Sequence, residues 1–405
     1  MDFDLTPEQR DLQKMCRQFA EEEIVPFVQE HRVTEWEGSQ DDRFPYEVWD
    51  VAHENGLHLM NVPLEYGGEE LDPDVRTQAI MLEELAAGDH SIANGISTNW
   101  KLAYLLRQYP KYLQDEWFPK MVEDPYFAMA HALTEPKGAS DRWLPYNEPD
   151  GNMNTTAEKD GEEWIINGTK QFITNGWEAD IIFVYANSDD SKGMLDGTSG
   201  PFLVPTETDG VEVSRVNETV GHRFASNAEM HFSDVRVHED NLLVENTALR
   251  DMGTIFKGGR VKVAARILGT GVAAVNAAFE YAQDRVQGGV PIVEHQMVQS
   301  RLADMATDLE TARTMIWRAA EAADAGRDDA NRLGIVARIH AADAVLSIAE
   351  NCVEIHGGAG SMRAQGVERL MRDAVTNMHL HGTQDIHKIK LVNELTGKGD
   401  PGTHA

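Results

Sequence analysis

Apolar positions in the first 125 or so residues recur at helical spacing. Leu12, Met15, Phe19 and Ile24 follow Thr6-Pro7-Glu8-Gln9, which combines an N-cap, a proline at the first helical position and a capping-box glutamine. Phe44-Pro45 opens a second helix that ends near Gly56. The turn-rich stretch Pro63-Leu64-Glu65-Tyr66-Gly67-Gly68 leads into long helical runs from about 74 to 122. The period changes near 127. Ile181-Ile182-Phe183-Val184 and Phe202-Leu203-Val204 predict short buried strands, and Val211-Glu212-Val213 and Met230-His231-Phe232 alternate. Trp164 to Lys170 predicts a hairpin with Asn167-Gly168 as its two-residue turn, and Thr174-Asn175-Gly176 is expected to close the hairpin that Gln171 to Gly176 continues. From about 241 the helical period returns. Arg260 to Asp284, Gln296 to Ala325 and Asn331 to His356 predict three long helices, and a shorter one follows Thr383 with Ile386, Ile389, Val392 and Leu395 on one face. The expected organisation is a mainly α chain with an inserted β domain. Its boundaries are 1–126 (helical), 127–240 (β) and 241–405 (helical), with no internal repeat.

Composition narrows the class. A chain of 405 residues can bury one large core or two to three smaller ones. No stretch approaches the roughly 18–20 uninterrupted apolar residues that span a bilayer. The start, MDFDLTPEQRDL, lacks the apolar core of a secretory signal. Cys16 and Cys352 are the only cysteines and read as small core residues. Acidic residues number 68 against 36 basic, a formal charge of -32 spread along the chain. That field argues against nucleic acid and suits a cytoplasm rich in salt, where ions screen self-repulsion.

The candidate chemistry lies in ordered segments. Ala132-Leu133-Thr134-Glu135-Pro136-Lys137-Gly138-Ala139-Ser140-Asp141 opens the β block, and small residues there let backbone N–H groups approach a ligand. This segment resembles the TEPxAGSD segment of the acyl-CoA dehydrogenases. TKQFITNG, VGHRFASNAEMHFSDVRVHEDNLL, DRVQGGVPIVEHQMVQSRLADMA, VEIHGGAG, VERLMRDA and GTQDIHK resemble further segments of that family, in order, over roughly residues 1–396. The resemblance implies an N-terminal helical domain, a central β-barrel-like domain and a C-terminal four-helix bundle, with FAD between the last two. Thr134 would bond the flavin edge and Ser140 would approach its phosphates. Phe172 would pack on the ring and Thr174 would bond near the reactive nitrogen. Arg285 and Gln296 would reach the adenine half of the cofactor in a neighbouring subunit. Gly357, Gly358 and Thr383 would line the pyrophosphate and adenosine path, where a Gly-rich loop and a helix N-terminus also offer free N–H donors on physical grounds.

Three departures from the family pattern stand out. Gly288 replaces an aromatic that contacts FAD. Glu354 stands where a glutamine commonly faces the pyrophosphate, an unfavourable place for an anion unless a cation bridges it. The third is His381, in the stretch NMHLHGTQDIHK. The family's base is a Glu before Gly-Thr, or in some members a Glu directly before the helix arginine. Those positions hold His381 and, before Arg260, Gly259. A neutral imidazole can serve as base. A pocket residue that binds without taking a proton is the alternative, and metal binding by His379, His381 and His387 a third, though no Cys or carboxylate cluster completes a site.

What the resemblance implies is α,β-dehydrogenation of an acyl-CoA. His381 would be the base, Arg260 would orient the pocket wall, and an electron-transferring flavoprotein would reoxidise FAD. The protein would be a homo-oligomer, most simply a tetramer, without nucleic-acid or membrane partners. A monooxygenase on the same fold and a non-catalytic acyl-CoA- or FAD-binding subunit are the rival readings. Gly258 and Gly259 predict free space on one wall of the acyl pocket.

Overall fold

Thr6 Oγ1 accepts from the Gln9 N–H at 3.1 Å, and the Gln9 side chain accepts from the Thr6 N–H at 3.2 Å, so the expected capping box is formed. It starts α1 (Pro7–Phe19) in a computed structural model that describes residues 4–138, 140, 147–250 and 256–398. α2 (Tyr46–Glu54), α3 (Val75–Gly88), α4 (His90–Leu106) and α5 (Lys111–Glu123) follow. The Asp89 carboxylate between α3 and α4 accepts from the Ser91 and Ile92 N–H groups, which separates two helices that would otherwise run on.

Eight strands make one sheet: β1 (Ala128–Ala132), β2 (Thr156–Asp160), β3 (Glu163–Thr174), β4 (Ala179–Asn187), β5 (Thr198–Pro205), β6 (Val211–Val216), β7 (Asn227–His238) and β8 (Leu242–Val244). The order is β6-β7-β3-β2-β4-β5-β8, with β1 parallel to β4. The expected hairpin turn at Asn167-Gly168 is not there. β3 runs straight through it, and the β2–β3 hairpin turns at Gly161-Glu162, where Asp160 pairs with Glu163. Gly168 marks a bulge in the β3–β7 ladder instead. Its φ is +148°, and a Cβ there would lie 2.5 Å from Thr155 Cα, so the glycine answers a close approach rather than a turn. Thr174-Asn175-Gly176 does end a strand. It leads to β4, however, which is separated from β3 by β2, so no hairpin closes there.

After the β domain come α6 (Gly259–Asp284), the hairpin β9 (Val286–Gln287) and β10 (Val290–Pro291), α7 (Gln296–Asp324), α8 (Ala330–His356), α9 (Glu368–Asn377) and α10 (Gln384–Leu395). α6 is long and apolar enough, by length and composition, to cross a membrane, yet its apolar window is 72% buried and it packs against α3, α7 and α8. Cys16 and Cys352 are free and fully buried, as core residues. α10 differs from expectation. Gln384, His387 and Lys390 form its buried face, while Ile389, Val392 and Leu395 point outward.

Candidate active site

The loop after β1 is fastened to β3 by a buried ion pair. Lys170 Nζ lies 2.9 Å from Glu135 Oε1 and also donates to the Leu133 carbonyl at 3.1 Å. Glu135 accepts further N–H bonds from Asn154 (2.7 Å) and Thr155 (2.8 Å). Burial pulls the Lys170 ammonium below its ordinary pKa. Burial alone would raise Glu135, but Lys170 and the N–H groups hold its carboxyl below the usual range. The Thr134 carbonyl accepts from the Gln171 N–H at 2.8 Å, so Thr134 sits directly beside the strand carrying Phe172 and Thr174. Ser140 is half-buried, and the residues after it (141–146) lie outside the described set.

β3 breaks register with β7 between Lys170 and Ile173. Phe172 occupies the bulge with φ +61° and leaves its ring 55% exposed. A non-glycine residue in the left-handed region costs of order 1–3 kcal/mol, so the surrounding structure over-determines this presentation of an aromatic face. Thr174 lies against α4, where Asn94 Nδ2 donates to its Oγ1 at 3.4 Å. Asn175 Nδ2 donates to the Gly95 carbonyl at 3.1 Å and fixes the same junction.

The second wall is the turn between α9 and α10. His381 has φ +52° and an exposed side chain. The backbone conformation is held from inside by Arg338 on α8. Its fully buried guanidinium donates to the carbonyls of Asn377 (2.8 Å) and Leu380 (3.1 Å) and to Gln384 Oε1 (3.2 Å). Gln384 in turn donates to the Ile339 carbonyl and to Asp343, both at 2.8 Å. Thr383 caps α10, its hydroxyl accepting from the Ile386 N–H at 3.4 Å. Arg260 donates to Asn331 Oδ1, and Asn331 donates to Glu394 Oε1 at 2.6 Å, which ties the start of α6 to α8 and α10. Buried His387 is the electrostatic neighbour of Arg260, His381, Arg338 and Lys390. Burial first, and then the charges of Lys390, Arg338 and Arg260, push its imidazole well below the ordinary value, which favours the neutral form. His379 instead lies on the α9 side, its Nδ1 3.0 Å from the Val375 carbonyl. Among the described residues, no His/Cys/Asp/Glu group is placed to hold a metal ion.

Three family models match the chain: the acyl-CoA dehydrogenase N-terminal domain over 6–124, the middle domain over 130–235 and the C-terminal domain over 249–395. The chain belongs to the acyl-CoA dehydrogenase family. It is 32% identical over 394 residues to the mitochondrial short-chain specific acyl-CoA dehydrogenase of Bos taurus, covering 95% of this chain and 89% of that one. It is 34% identical over 388 residues to the cyclohex-1-ene-1-carbonyl-CoA dehydrogenase of Geobacter metallireducens, covering 95% and 97%. The butyryl-CoA dehydrogenase structure from Megasphaera elsdenii superposes with a TM-score of 0.86 at 29% identity, covering 98% and 100%.

Members of the acyl-CoA dehydrogenase family are FAD-dependent oxidoreductases, and the residues here fit that cofactor. Gly358 is informative: a Cβ there would meet nothing within 4 Å, so no contact inside the chain demands glycine, whereas a closely approaching phosphate group would. Gly357 beside it ends α8 with φ +58°, and both are exposed. Glu354 has a cation beside it, Arg301, whose Nη2 lies 3.6 Å from Oε2. Gly288 has a local reason. With Gly289 it forms the two-residue turn of the β9–β10 hairpin, both at positive φ, a conformation that favours glycine over a bulky aromatic.

Arg285 and Gln296 flank that hairpin and are exposed. Arg260 and Arg285 stand at opposite ends of α6, roughly 37 Å apart at ~1.5 Å per residue. One chain therefore does not bring Arg285 to its own His381 turn. The expected space at Gly258 is also absent: a Cβ would lie 2.4 Å from Val75 Cγ1, so this glycine admits α3. Gly259 alone faces open space. Sequence reading missed Arg338 and Gln384, which hold the His381 turn, and considered His387 only as a metal ligand. For Gln384 and His387 the signal was polarity on the inner face of α10, whose apolar stripe points elsewhere; Arg338, on α8, left none.

Proposed function

We propose that this acyl-CoA dehydrogenase family member oxidises an acyl-CoA thioester between its α and β carbons to the enoyl-CoA, with His381 as the base. The observation that carries the reading is the His381 turn. By the sequence resemblance His381 takes the place of the family's carboxylate base, and Arg338 and Gln384 hold the turn in which it has a left-handed conformation. FAD, when bound, supplies the acceptor for the hydride that leaves Cβ. The imidazole of His381 takes the α-proton, and the backbone N–H of the same residue donates to the thioester oxygen, where enolate charge develops. The imidazolium then faces an enolate in a pocket from which the acyl chain expels water, and their attraction is several-fold stronger there than in bulk water. Neutral His387 matters here, because a second cation beside His381 would oppose that protonation. Arg260, tied to α8 and α10, orients the wall.

The working form in this reading is a homotetramer that hands electrons to an electron-transferring flavoprotein in a salt-rich cytoplasm. The distance between the two ends of α6, the outward apolar stripe of α10, and Met297, 78% exposed at the start of α7, support partner subunits at both ends of the C-terminal domain. The charge of -32 supports the salt requirement.

The test is anaerobic reduction of the FAD-loaded protein by a panel of acyl-CoA thioesters. His381→Ala should slow reduction by roughly 10²–10⁴-fold while acyl-CoA still binds. His381→Glu should keep substantial activity and move the rising limb of the rate–pH profile acidward. If His381→Ala reduces its flavin as fast as the parent, the base assignment fails and histidine only binds. Oxygen consumption coupled to substrate hydroxylation would point to the monooxygenase reading, and no bleaching by any acyl-CoA to a binding subunit.

A further inference from the structure

Acidic residues outnumber basic ones 68 to 36, so a group of cations that forms no salt bridge among the described residues needs a reason. One such group lies between α4 and α6. Arg266 is 6% exposed; its Nη1 donates to Ser97 Oγ at 2.8 Å, and its Nε has no hydrogen-bond partner. Lys101 Nζ lies 5.2 Å from the centre of the Phe256 ring, and its charged neighbours are Arg266 and Lys262. Lys262 Nζ donates to Gln78 Oε1 at 3.2 Å; Arg266 and Lys257 oppose its charged form and Asp72 and Asp324 favour it. Among the described residues, neither Lys101 nor Arg266 forms a salt bridge.

The place of this group matters. Ser97 and Lys101 are one helical turn apart on α4, and Lys262 and Arg266 are one turn apart on α6, so each pair shares a helix face. Asn94, which touches Thr174, is on the Ser97–Lys101 side of α4. Lys101 lies roughly 10 Å further along the helix axis at ~1.5 Å per residue. The cations therefore stand at a depth that the far end of an acyl chain reaches when its reacting carbons lie beside Thr174.

We propose that Lys101, Lys262 and Arg266 bind a carboxylate at the distal end of the acyl chain, so that the substrate is a CoA monothioester of a dicarboxylic acid. This rests on the reaction proposed above and names its substrate class. A buried guanidinium with an unused N–H is costly to leave unpaired, and a carboxylate accepts from it and from an ammonium at once. Burial first, and then Arg266 and Lys262, bring the Lys101 ammonium down to about 7. An arriving carboxylate favours the charged lysine, so binding takes up a proton and weakens as pH rises above that value.

The experiment uses the FAD-loaded protein under anaerobic conditions. Butyryl-, valeryl- and hexanoyl-CoA are compared with succinyl-, glutaryl- and adipyl-CoA, with affinity read from the shift in flavin absorbance. At least one dicarboxylic thioester should bind about 10- to 100-fold tighter than the monocarboxylic thioester of equal chain length, the share of one charge-assisted hydrogen bond. In Lys101→Met that ratio should fall severalfold toward one and its pH dependence should weaken, and Lys101→Arg should restore the ratio. Lys262→Met is a second variant, and the parent panel decides alone if neither variant holds FAD. Equal affinities for both classes in the parent, or an unchanged ratio in a folded Lys101→Met, overturn the inference while leaving the dehydrogenase reading intact. Failure of every thioester to bind or bleach the flavin sinks both.

Discussion

Lys170→Met tests whether the buried pair holds the cofactor-facing wall together. Lys170 is fully buried and Glu135 is 3% exposed. Removing the ammonium leaves a carboxylate with two backbone N–H donors and no counter-charge. Breaking a buried pair from one side costs about 3–5 kcal/mol. Relief of the lysine's desolvation returns part of that, whereas loss of the bond to the Leu133 carbonyl adds to it. The low end, ~3 kcal/mol, is expected. Urea unfolding followed through the β domain measures it, with FAD retention as the functional readout, since Thr134 sits on one side of the pair and Phe172 and Thr174 on the other. The double variant Lys170→Met/Glu135→Gln should recover about 1–3 kcal/mol relative to the sum of the single changes. Acid should act in the same direction. Glu135 has a folded pKa below its ordinary value, so its contribution is present above the ordinary carboxyl range and lost as pH falls through the lower folded value. A loss below ~1 kcal/mol in Lys170→Met, with additive singles, would refute the reasoning.

Arg338→Met should leave the Asn377 and Leu380 carbonyls unpaired and release the His381 turn; flavin reduction should slow and acyl-CoA affinity fall, with Arg338→Lys intermediate. In dilute buffer the oligomer should dissociate and lose FAD, and molar salt should restore both, as seen by light scattering. His222 stacks on His90 at 4.1 Å and is driven by burial to a pKa of about 4. Because the unfolded histidine protonates first, stability is complete above ~6.5 and declines as pH falls toward about 4; His222→Asn, which tolerates the residue's φ of +57°, should flatten that part of the stability–pH curve.

The alternation of helical and two-residue periods determined the three-part architecture, because burying one face of each element leaves its period in the chain. Ordered segments such as Thr134–Ser140, Gln171–Gly176 and Gly382–Thr383 pointed to both walls of the candidate site, because backbone turns and close approaches constrain residue type locally. Tertiary structure alone decided the rest. Asn167-Gly168 has the chemistry of a turn, yet it lies inside β3 because Thr155 packs on Gly168. Gly258 was read as open space, but α3 fills it through Val75. The apolar stripe of α10 suggested a buried face, whereas Gln384, His387 and Lys390 are buried instead. Polar groups are buried when partners far along the chain satisfy them, and Arg338, 46 residues before Gln384, leaves no periodic trace. Lys101, Lys262 and Arg266 are separate charges in the sequence; only the packing of α6 against α4 makes them one group.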